Sequence, residues 1–561
     1  MKYYSLLLFL VFHFSSIAQD CPSSSITLRT QQDVDDFHTN YPNCTELPGN
    51  LIINSQGLAT DPVTSLAGLA QLRSIKGYLE LRYLDSLKNL DGLHQLVTVD
   101  VSILIWNCFS LKNIILDSLQ NINRNLKIQY NYSLQKISFS NLKQVPRNLI
   151  VTSNYNLSAI SGFNQLTTLA EDIRGTLRVS HNYSLTKIDG FNKVTTVGSL
   201  QIRYNKSLKT FAGFENLKSV TSSLELSGLD SLTNFSAVKN LETILWQFEI
   251  SEMNGLTNLN HFPNLKNVNN IYLNENNELS KISFPELTDI ETLSMDKNPK
   301  ITSLTGFPKL ATIGSIQISN HESLTDLAGL NKLGKIGRGL FLSNCPIEKL
   351  SSLTKLTEIR ILSLENTKLK NLADLENLKI LDKSIVLINN EELESIDEIK
   401  QVRGFNSVET SIYLKDNPKL KSIAAIGSLN YNNLKTVHIT GSPLLSNCSL
   451  INICKSLSAK SSYRTVHTFS DNATGCNDNN EILENCKAID RPIAFHPTLV
   501  QSTINLISEI DTEIIIFNTM GQILLQENIF NGITSIDLSI LPSGIYFIQE
   551  KGGKQQKFFK Q

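Results

Sequence analysis

Apolar residues recur along most of the chain in a pattern that mixes two spacings. Between Leu185 and Ser207 the apolar positions first fall at every third residue, and then Leu200 and Ile202 are separated by one residue. A spacing of two is typical of a short strand with one buried face. Asn205 follows Ile202 by three residues. This order predicts a coil that contains one short strand of about three residues and then a turn with an asparagine.

The same pattern recurs from Val63 to a last coil that starts at Leu420, at steps of 22 to 28 residues. Self-similarity at this period is the signature of a leucine-rich solenoid. A single coil cannot bury its own apolar face, so stacked coils share one core and pair their strands in a parallel sheet. We therefore predict a mainly β fold, with a right-handed parallel solenoid of about 16 coils over residues 63–445.

The turn after each strand carries an asparagine in most coils. Backbone groups of such a turn point into the protein and need hydrogen-bond partners. An asparagine side chain supplies both a donor and an acceptor, and a small buried thiol can take the same position. We predict a buried ladder formed by Asn131, Asn154, Asn182, Asn205, Asn276, Asn298, Asn390 and Asn417, with Cys108 and Cys345 in the same register.

The regions outside the array differ from it in spacing and composition. Residues 1–18 combine Lys2 with an apolar run and small residues before Gln19, which predicts a secretory signal peptide. Residues 19–62 are expected to form an N-terminal cap, and residues 446–487 a cysteine-rich C-terminal cap. Short alternating strands separated by turn residues fill positions 491–561. They predict a small antiparallel β-sandwich.

Six of the eight cysteines lie in the two predicted caps. A secretory signal places them in an oxidising compartment, where disulfides are stable. Cys21 and Cys44 are expected to pair across the N-terminal cap. Four cysteines allow three pairings in the C-terminal cap, and we favour Cys448–Cys476 with Cys454–Cys486. A zinc site there is the alternative, but it lacks the short C-x-x-C spacing.

Two segments resemble known families. The phrases GLAQLRSIKGYLEL at 68–81 and GFPKLATIGSIQI at 306–318 resemble receptor L-domain-like leucine-rich proteins of bacterial surfaces, over about residues 20–487. Residues 514–525 (IIIFNTMGQILL), 536–549 (IDLSILPSGIYFIQ) and 557–561 (KFFKQ) resemble the C-terminal sorting domain of type IX secretion substrates.

These resemblances imply a location and partners. They imply export through the periplasm to the outer surface of a Gram-negative bacterium, contact with the type IX secretion machinery and removal of the sorting domain. Attachment to surface lipopolysaccharide often follows in such proteins. The sorting family usually opens with a Tyr-Pro-Asn-Pro-like motif, of which Phe495-His496-Pro497-Thr498 is a degenerate version without the second proline.

The net charge and the absence of known motifs argue against several classes of function. The formal net charge is −1, which argues against nucleic acid as a partner and against binding to membranes through bulk electrostatics. The histidines are scattered, and the sequence contains no recognised catalytic or phosphate-binding motif. Asp33, Asp35 and Asp36 are expected to lie on a solvated helix face, since their spacing does not complete a calcium loop. We predict no enzyme activity, no metal, no cofactor and no transmembrane segment in the mature protein.

Aromatic and arginine side chains at exposed positions of the early coils predict a binding surface, because these residue types carry much of the binding energy in interfaces. Coils stack about 4.8 Å apart, so tyrosines in one register would form a stripe. Such a stripe beside arginines suits sugar rings or an anionic protein patch. The candidate residues are Arg82, Tyr83, Trp106, Lys127, Tyr130, Tyr132, Tyr155, Arg178, Tyr183, Arg203 and Tyr204.

Two other interpretations stay open at this point. The tyrosines could simply pack on one another and cover the edge of the turns. The whole protein could then be a structural component of the cell envelope without a specific ligand, and an enzyme with an unrecognised site is a more distant alternative. Recognition or adhesion through a protein or glycan ligand is the function that the sequence favours.

Overall fold

A computed structural model describes residues 21–57, 60–170, 174–402, 410–428, 434–458, 466–489, 494–496, 499–508, 512–529, 532–550 and 555–561. The predicted signal peptide lies outside the described residues, as do parts of the two longest predicted coils, residues 171–173 and 403–409. The chain divides into two compact units. The first contains Met1–Leu369 with Asp374–Leu378, and the second contains Lys370–Ala373 with Lys379–Gln561.

The first unit is a stack of coils whose main strands pair in parallel. In neighbouring coils the apolar residues are in register, so Leu126 lies opposite both Ile103 and Leu149. These inward residues are fully buried, since alternate side chains of a strand point to the same face. The strands are Ile26–Leu28, Leu51–Asn54, Leu79–Arg82, Ser102–Trp106, Asn125–Gln129, Asn148–Thr152, Thr176–Ser180, Ser199–Arg203, Ser223–Ser227, Thr243–Ser251, Asn267–Asn274, Asp289–Asp296, Thr312–Ser319, Lys335–Ser343 and Glu358–Glu365.

The parallel sheet begins earlier than the predicted array. Ile26–Leu28 pairs with Leu51–Asn54, which pairs in turn with Leu79–Arg82. The region predicted as a cap therefore already contains two strands of the sheet. It also contains helix α1, Gln31–Asn40, which buries Val34 and Phe37.

Short strands and turns line the other sides of the coils. From Thr243–Ser251 to Ile380–Ile388 the strands of the main sheet are eight or nine residues long, so the predicted length of about three residues is too short. The short parallel strands are Glu46–Leu47, Ser74–Ile75, Thr98–Val99, Asn113–Ile115, Asn121–Ile122, Lys136–Ser138, Gln144–Val145, Ala159–Ile160, Thr168–Leu169, Lys187–Ile188, Thr196–Val197, Thr210–Phe211, Ser219–Val220, Asn258–Leu259 and Lys281–Ile282. Single 3₁₀ turns are Ala67–Leu69, Ser236–Val238, Ser351–Leu353 and Ala373–Leu375.

Asparagine side chains bridge successive coils inside the turns. The Asn154 side-chain oxygen accepts the backbone N–H of Asn131 at 3.1 Å, and its Nδ2 donates to the carbonyl oxygens of Ile128 at 3.0 Å and Thr152 at 3.1 Å. These contacts satisfy buried backbone groups. The ladder residues are buried, namely Asn131, Asn154, Asn182, Asn205, Asn276, Asn298, Asn390, Asn417, Cys108 and Cys345.

The second unit contains further parallel strands and then two helices. The strands Ile380–Ile388, Thr410–Lys415, Leu434–Thr440 and Val466–Ser470 pair in that order. Helix α2, Ile451–Ser458, and helix α3, Asn479–Ile489, belong to the predicted C-terminal cap. Two 3₁₀ turns, Asp397–Ile399 and Ala424–Ser428, precede them.

Three disulfides join the cysteines that we expected to pair. The Cα–Cα distances are 4.7 Å for Cys21–Cys44, 5.0 Å for Cys448–Cys476 and 5.7 Å for Cys454–Cys486. Cys108 and Cys345 are free and buried. The disulfides lie near the two ends of the solenoid, where a terminal coil lacks a neighbour to cover its core.

The C-terminal residues form a separate pair of small sheets. One sheet contains Ala494–His496, Thr503–Ser508 and Gly532–Asp537. The other has the order Leu499–Val500, Gln555–Lys560, Gly544–Glu550, Thr512–Asn518 and Ile523–Ile529. Ile504 and Leu506 of the first sheet share a core with Ile514, Ile516 and Phe558 of the second. One pair of strands, Leu499–Val500 with Gln555–Lys560, is parallel, in contrast to the predicted antiparallel arrangement.

Candidate ligand-binding face

The candidate tyrosines form two rows, one on each side of the asparagine ladder. Tyr130 directly precedes the ladder residue Asn131, and Tyr132 directly follows it. Tyr83 and Tyr204 share the position of Tyr130, whereas Tyr155 and Tyr183 share that of Tyr132. The candidate tyrosines therefore belong to two registers, because the buried ladder residue separates the two positions.

The outer aromatic row consists of Phe109, Tyr132, Tyr155 and Tyr183, the residues that follow the ladder position. Their ring centroids are 5.1, 4.6 and 5.1 Å apart, and successive ring planes differ by 12°, 7° and 21°. Each side chain remains 38–45% exposed. Phe109 was missed as a candidate, although its place after the ladder residue Cys108 was sufficient to identify it.

The stacking decides which parts of these rings are available to a ligand. Tyr132 and Tyr155 each have a neighbouring ring on both faces. A sugar ring therefore cannot lie flat on the face of either of them. What remains exposed is a line of ring edges and phenol hydroxyl groups. Partial desolvation and the neighbouring phenols of Tyr132 and Tyr183 raise the pKa of Tyr155 above its ordinary value.

The position before the ladder residue adopts a left-handed backbone conformation in successive coils. The φ angles are +52° at Tyr83, +57° at Tyr130 and +51° at Tyr204. Bulky residues seldom adopt this conformation, whereas asparagine and glycine tolerate it. Other coils use the tolerant types there, for example Asn344, and Gly228 with φ +62°. The tyrosines at this position are therefore not the residues that the backbone alone would favour.

Tyr204 is engaged within the protein. A Cβ atom added at Gly228 would lie 2.5 Å from the Tyr204 ring, so the glycine makes room for that ring. The Tyr204 hydroxyl donates to the Glu252 carboxylate at 3.2 Å, and its ring centroid lies 5.1 Å from that of His181. Tyr204 is therefore the last tyrosine at the position before the ladder residue, and its hydroxyl group already has a hydrogen-bond partner within the protein.

A second aromatic cluster lies at Tyr83 and Trp106, whose ring centroids are 5.1 Å apart. The Arg82 guanidinium lies 5.9 Å from the Trp106 ring centroid and 3.5 Å from the Glu80 carboxylate. Trp106 Nε1 donates to Glu80 at 3.2 Å. The charge of Arg82 is thus balanced within the cluster.

The remaining basic candidates lie on the outward positions of the strands. Arg178 Nε donates to Gln201 Oε1 at 2.7 Å, and Gln201 Nε2 donates to Glu225 Oε1 at 3.1 Å. Glu225 also forms an ion pair with Arg203. Lys127 is half-buried on its strand, opposite Leu104 and Ile150. Because Arg82 and Arg203 both have carboxylate partners, an anionic ligand is less favoured than the sequence indicated.

Trp246 is an exposed aromatic residue that the sequence reasoning missed. Its side chain is 63% exposed and lies at an irregularity between Ile244 and Gln247, where the strand register shifts. The backbone N–H of Trp246 donates to the Ser222 carbonyl oxygen at 3.1 Å. A β-bulge turns a side chain away from the regular alternation of a strand, and its position cannot be read from the repeat.

The other groups singled out in the sequence have structural partners. Asp33 accepts the backbone N–H groups of Arg29 at 2.7 Å and Thr30 at 3.0 Å. Gln31 and Gln32 donate to Asp35 and Asp36, at 2.9 and 2.7 Å. In the part of the chain that the structure describes, no group of three or more His, Cys, Asp or Glu residues is arranged to hold a metal ion. Among those same residues, no helix is both long and apolar enough to cross a membrane.

Two parts of the chain match known families. Residues 43–165 match the Receptor L domain, and residues 496–561 match the secretion system C-terminal sorting domain. These two matches support a secreted surface repeat protein whose C-terminal sorting domain serves a secretion system. The Receptor L match covers only part of the region, residues 20–487, over which the sequence resemblance extends.

Similarity to other proteins is limited beyond these two domains. No curated protein matches the sequence. A solved structure described as the crystal structure of a TLR13–ssRNA13 complex is 14% identical, with 74% of this chain and 91% of that chain covered. Its TM-score is 0.24.

Proposed function

We propose that this protein is a non-enzymatic recognition or adhesion protein. It presents a rigid repeat face to a protein or glycan ligand at the outer surface of a Gram-negative bacterium, and surface lipopolysaccharide holds it there. The observation that carries the proposal is the outer aromatic row, an exposed stack formed by Phe109, Tyr132, Tyr155 and Tyr183.

The fold itself does not require aromatic residues in this row. Coils on either side make the same turn with Asp85 and Lys206 at the position that follows the ladder residue, and later coils use Asn254 and Asn277. The rings do pack on one another, as the alternative interpretation expected, but they leave more than a third of each side chain exposed. An exposed aromatic cluster in one part of a repeat array supports a binding role.

The row is also well suited to binding because it is already ordered. Each ring is held by a neighbouring ring, and the turn beneath it is held by the asparagine ladder, as at Asn154. Binding therefore loses little side-chain entropy. The exposed ring edges and hydroxyl groups favour a ligand that combines apolar and hydrogen-bonding groups and carries little charge at this contact.

The test replaces Tyr132, Tyr155 and Tyr183 by asparagine, the residue found at the same position in Asn254 and Asn277. The purified secreted form would first be screened on glycan and protein arrays, and the affinity for each ligand found would then be titrated. We expect the affinity to fall by at least about tenfold, because several hot-spot rings are lost together. The melting temperature should change little.

A matched control variant is Trp246→Ser, which removes an exposed aromatic residue outside the row. It should bind like the wild type. Unchanged affinity in the triple variant, together with a lower melting temperature, would show that the row serves packing alone and would favour the structural role in the envelope.

A further inference from the structure

Side chains of the five-stranded C-terminal sheet alternate between a buried and an outward face. Ile514, Ile516, Tyr546, Ile548 and Phe558 point into the core and are buried. Their sequence neighbours therefore point outward. The outward residues at one end of the sheet are apolar, although they contribute nothing to that core.

These outward residues lie next to one another across the strands. Phe559 is opposite both Leu499 and Ile545, and Phe517 is opposite both Phe547 and Ile523. Directly opposite residues lie on the same face of a sheet. We call the six residues the apolar sorting face: Leu499, Phe517, Ile523, Ile545, Phe547 and Phe559.

The apolar sorting face is accessible to a partner. Leu499, Ile523, Ile545 and Phe559 are between 36% and 55% exposed. The Phe517 and Phe547 rings stack with their centroids 5.6 Å apart, and the Lys557 ammonium lies 4.8 Å from the Phe559 ring centroid. A row of glutamines borders the face, since Ile515 lies opposite Gln526 and Gln549.

Two turns of this module also carry a strongly exposed apolar side chain. Met520, between two of the strands, is 85% exposed, and Ile540, shortly before the strand Gly544–Glu550, is 77% exposed. Turn tips are normally occupied by small or polar residues. A contiguous apolar surface of this kind usually marks an interaction site.

The three segments that resemble sorting domains all contribute to this surface. Residues 514–525 supply Phe517, Met520 and Ile523, residues 536–549 supply Ile540, Ile545 and Phe547, and residues 557–561 supply Lys557 and Phe559. Burial in the core accounts for the inward residues of these segments. It does not account for the outward ones, which the fold leaves exposed.

We propose that the apolar sorting face is the surface by which the secretion machinery recognises this protein. The partner is an apolar protein surface of that machinery, since the module matches a secretion system C-terminal sorting domain over residues 496–561. Recognition uses the outward residues, and the inward residues hold the sheet that displays them. The proposal concerns export alone and is independent of the ligand of the solenoid.

The experiment compares two triple variants of the full chain in a bacterium with a type IX secretion system. Ile523, Ile545 and Phe559 are changed to threonine in the first, because threonine suits a strand but removes the large apolar surface. Gln526, Gln549 and Gln555, which lie outward on the same sheet, are changed to threonine in the second. Protein on the cell surface and in the medium is quantified against protein retained in the periplasm.

We expect the first variant to be exported at least about tenfold less than the wild type and to accumulate in the periplasm, since an interface core is lost. The glutamine variant should be exported normally. Thermal unfolding of both purified full chains should match the wild type. Normal export of the first variant, or an equal loss in both variants, would overturn the proposal.

A further variant separates recognition from folding. Met520→Ser with Ile540→Ser changes only turn-tip residues, so it should reduce export even if the first variant unfolds at a lower temperature. Normal export of this variant together with a destabilised first variant would overturn the proposal. Light scattering of the full chain tests whether the face instead binds a second copy. A wild-type dimer that becomes a monomer in the first variant, together with normal export of that variant, would also overturn the proposal.

Discussion

At the residue scale, the turn of most coils uses one side chain that can both donate and accept hydrogen bonds. Asn182 shows why asparagine holds this position, because its oxygen accepts the Asn154 N–H at 3.0 Å and its Nδ2 donates to the Val151 carbonyl oxygen at 3.0 Å. Where Cys108 replaces it, the thiol lies 3.6 Å from the Trp106 carbonyl oxygen. The Cys108 N–H still donates to the Asn131 side chain, at 3.0 Å. The cysteine therefore keeps the backbone bond to the next ladder residue, as at Asn131 and Asn154, but lacks the amide group of asparagine.

Replacing Asn154 by alanine should strongly destabilise the solenoid. The change leaves the Ile128 carbonyl oxygen and the Asn131 N–H without their buried partners, at an expected cost of about 2–4 kcal/mol in the free energy of unfolding. Denaturant titration measures it. The control is Asn277→Ala at an exposed position, which should cost less than about 0.5 kcal/mol. Equal effects would show that the ladder adds little to stability.

The two free cysteines should react only after unfolding. Burial raises the pKa of the Cys108 thiol to about 12 and raises that of Cys345 as well, so neither forms the reactive thiolate at neutral pH. Alkylation of the native protein should label neither thiol within minutes, whereas two thiols should be labelled in denaturant without reductant. Rapid labelling of native Cys108 would contradict its burial, and more than two labelled thiols would contradict the disulfides.

At the scale of the single coil, His321 replaces asparagine in the ladder and introduces a titrating group. Its Nδ1–H donates to the Ser319 carbonyl oxygen at 2.6 Å, and its Nε2 accepts from Asn298 Nδ2 at 3.3 Å. Burial lowers the pKa of His321, although Ser319 and Asp296 oppose the shift. The coil therefore contains a neutral ring whose protonation would break the bond from Asn298.

Stability should fall as the pH drops from 7 to 5. The pKa of His321 is lower in the folded than in the unfolded state, so the unfolded state binds more protons in this range and acid favours unfolding. His321→Asn, which restores the residue used by the neighbouring coil, should reduce this slope and keep the stability at pH 7. Melting curves across the pH range test this. His261 and His467, with pKa values also lowered by burial, should account for a remaining slope. An unchanged slope in His321→Asn would contradict the argument.

At the scale of the whole molecule, the chain combines an array that is stable through stacked coils with a module that serves export. The array gains stability from each interface between neighbouring coils, as the registered strands Asn125–Gln129 and Asn148–Thr152 illustrate. The C-terminal module has its own core around Ile514 and Phe558. A module with its own core can be removed without opening the core of the coils.

The surface form should therefore be shorter than the encoded chain. We expect it to begin near Gln19, because residues 1–18 are predicted to be a signal peptide, and to end before about Arg491, because we expect the sorting domain to be removed. Intact-mass and peptide mass spectrometry of surface material would establish both ends. The periplasmic form of the same cells, which should retain residues 491–561, provides the comparison. Recovery of Ile514–Gln561 from the surface form would contradict removal of the sorting domain.

The sequence by itself determined the repeat and the buried ladder. Both follow from local rules, because each strand contributes inward residues such as Leu126 and Ile128, and most turns use a polar group such as Asn131. The type of fold therefore follows from the periodicity alone. The periodicity also helped to assign the cysteine pairs. It places Cys108 and Cys345 in the ladder, so that only the six cysteines of the caps remain to form disulfides.

Only the tertiary structure decided how the outward side chains interact. The sequence placed tyrosines near one another, but whether Tyr132 stacks on Tyr155, or Tyr204 bonds Glu252, depends on contacts between coils. The pairing of Arg203 with Glu225 and the bulge at Trp246 are likewise invisible in the repeat. Inward residues are constrained by a pattern that repeats in every coil, whereas outward residues are constrained only by neighbours that differ from coil to coil.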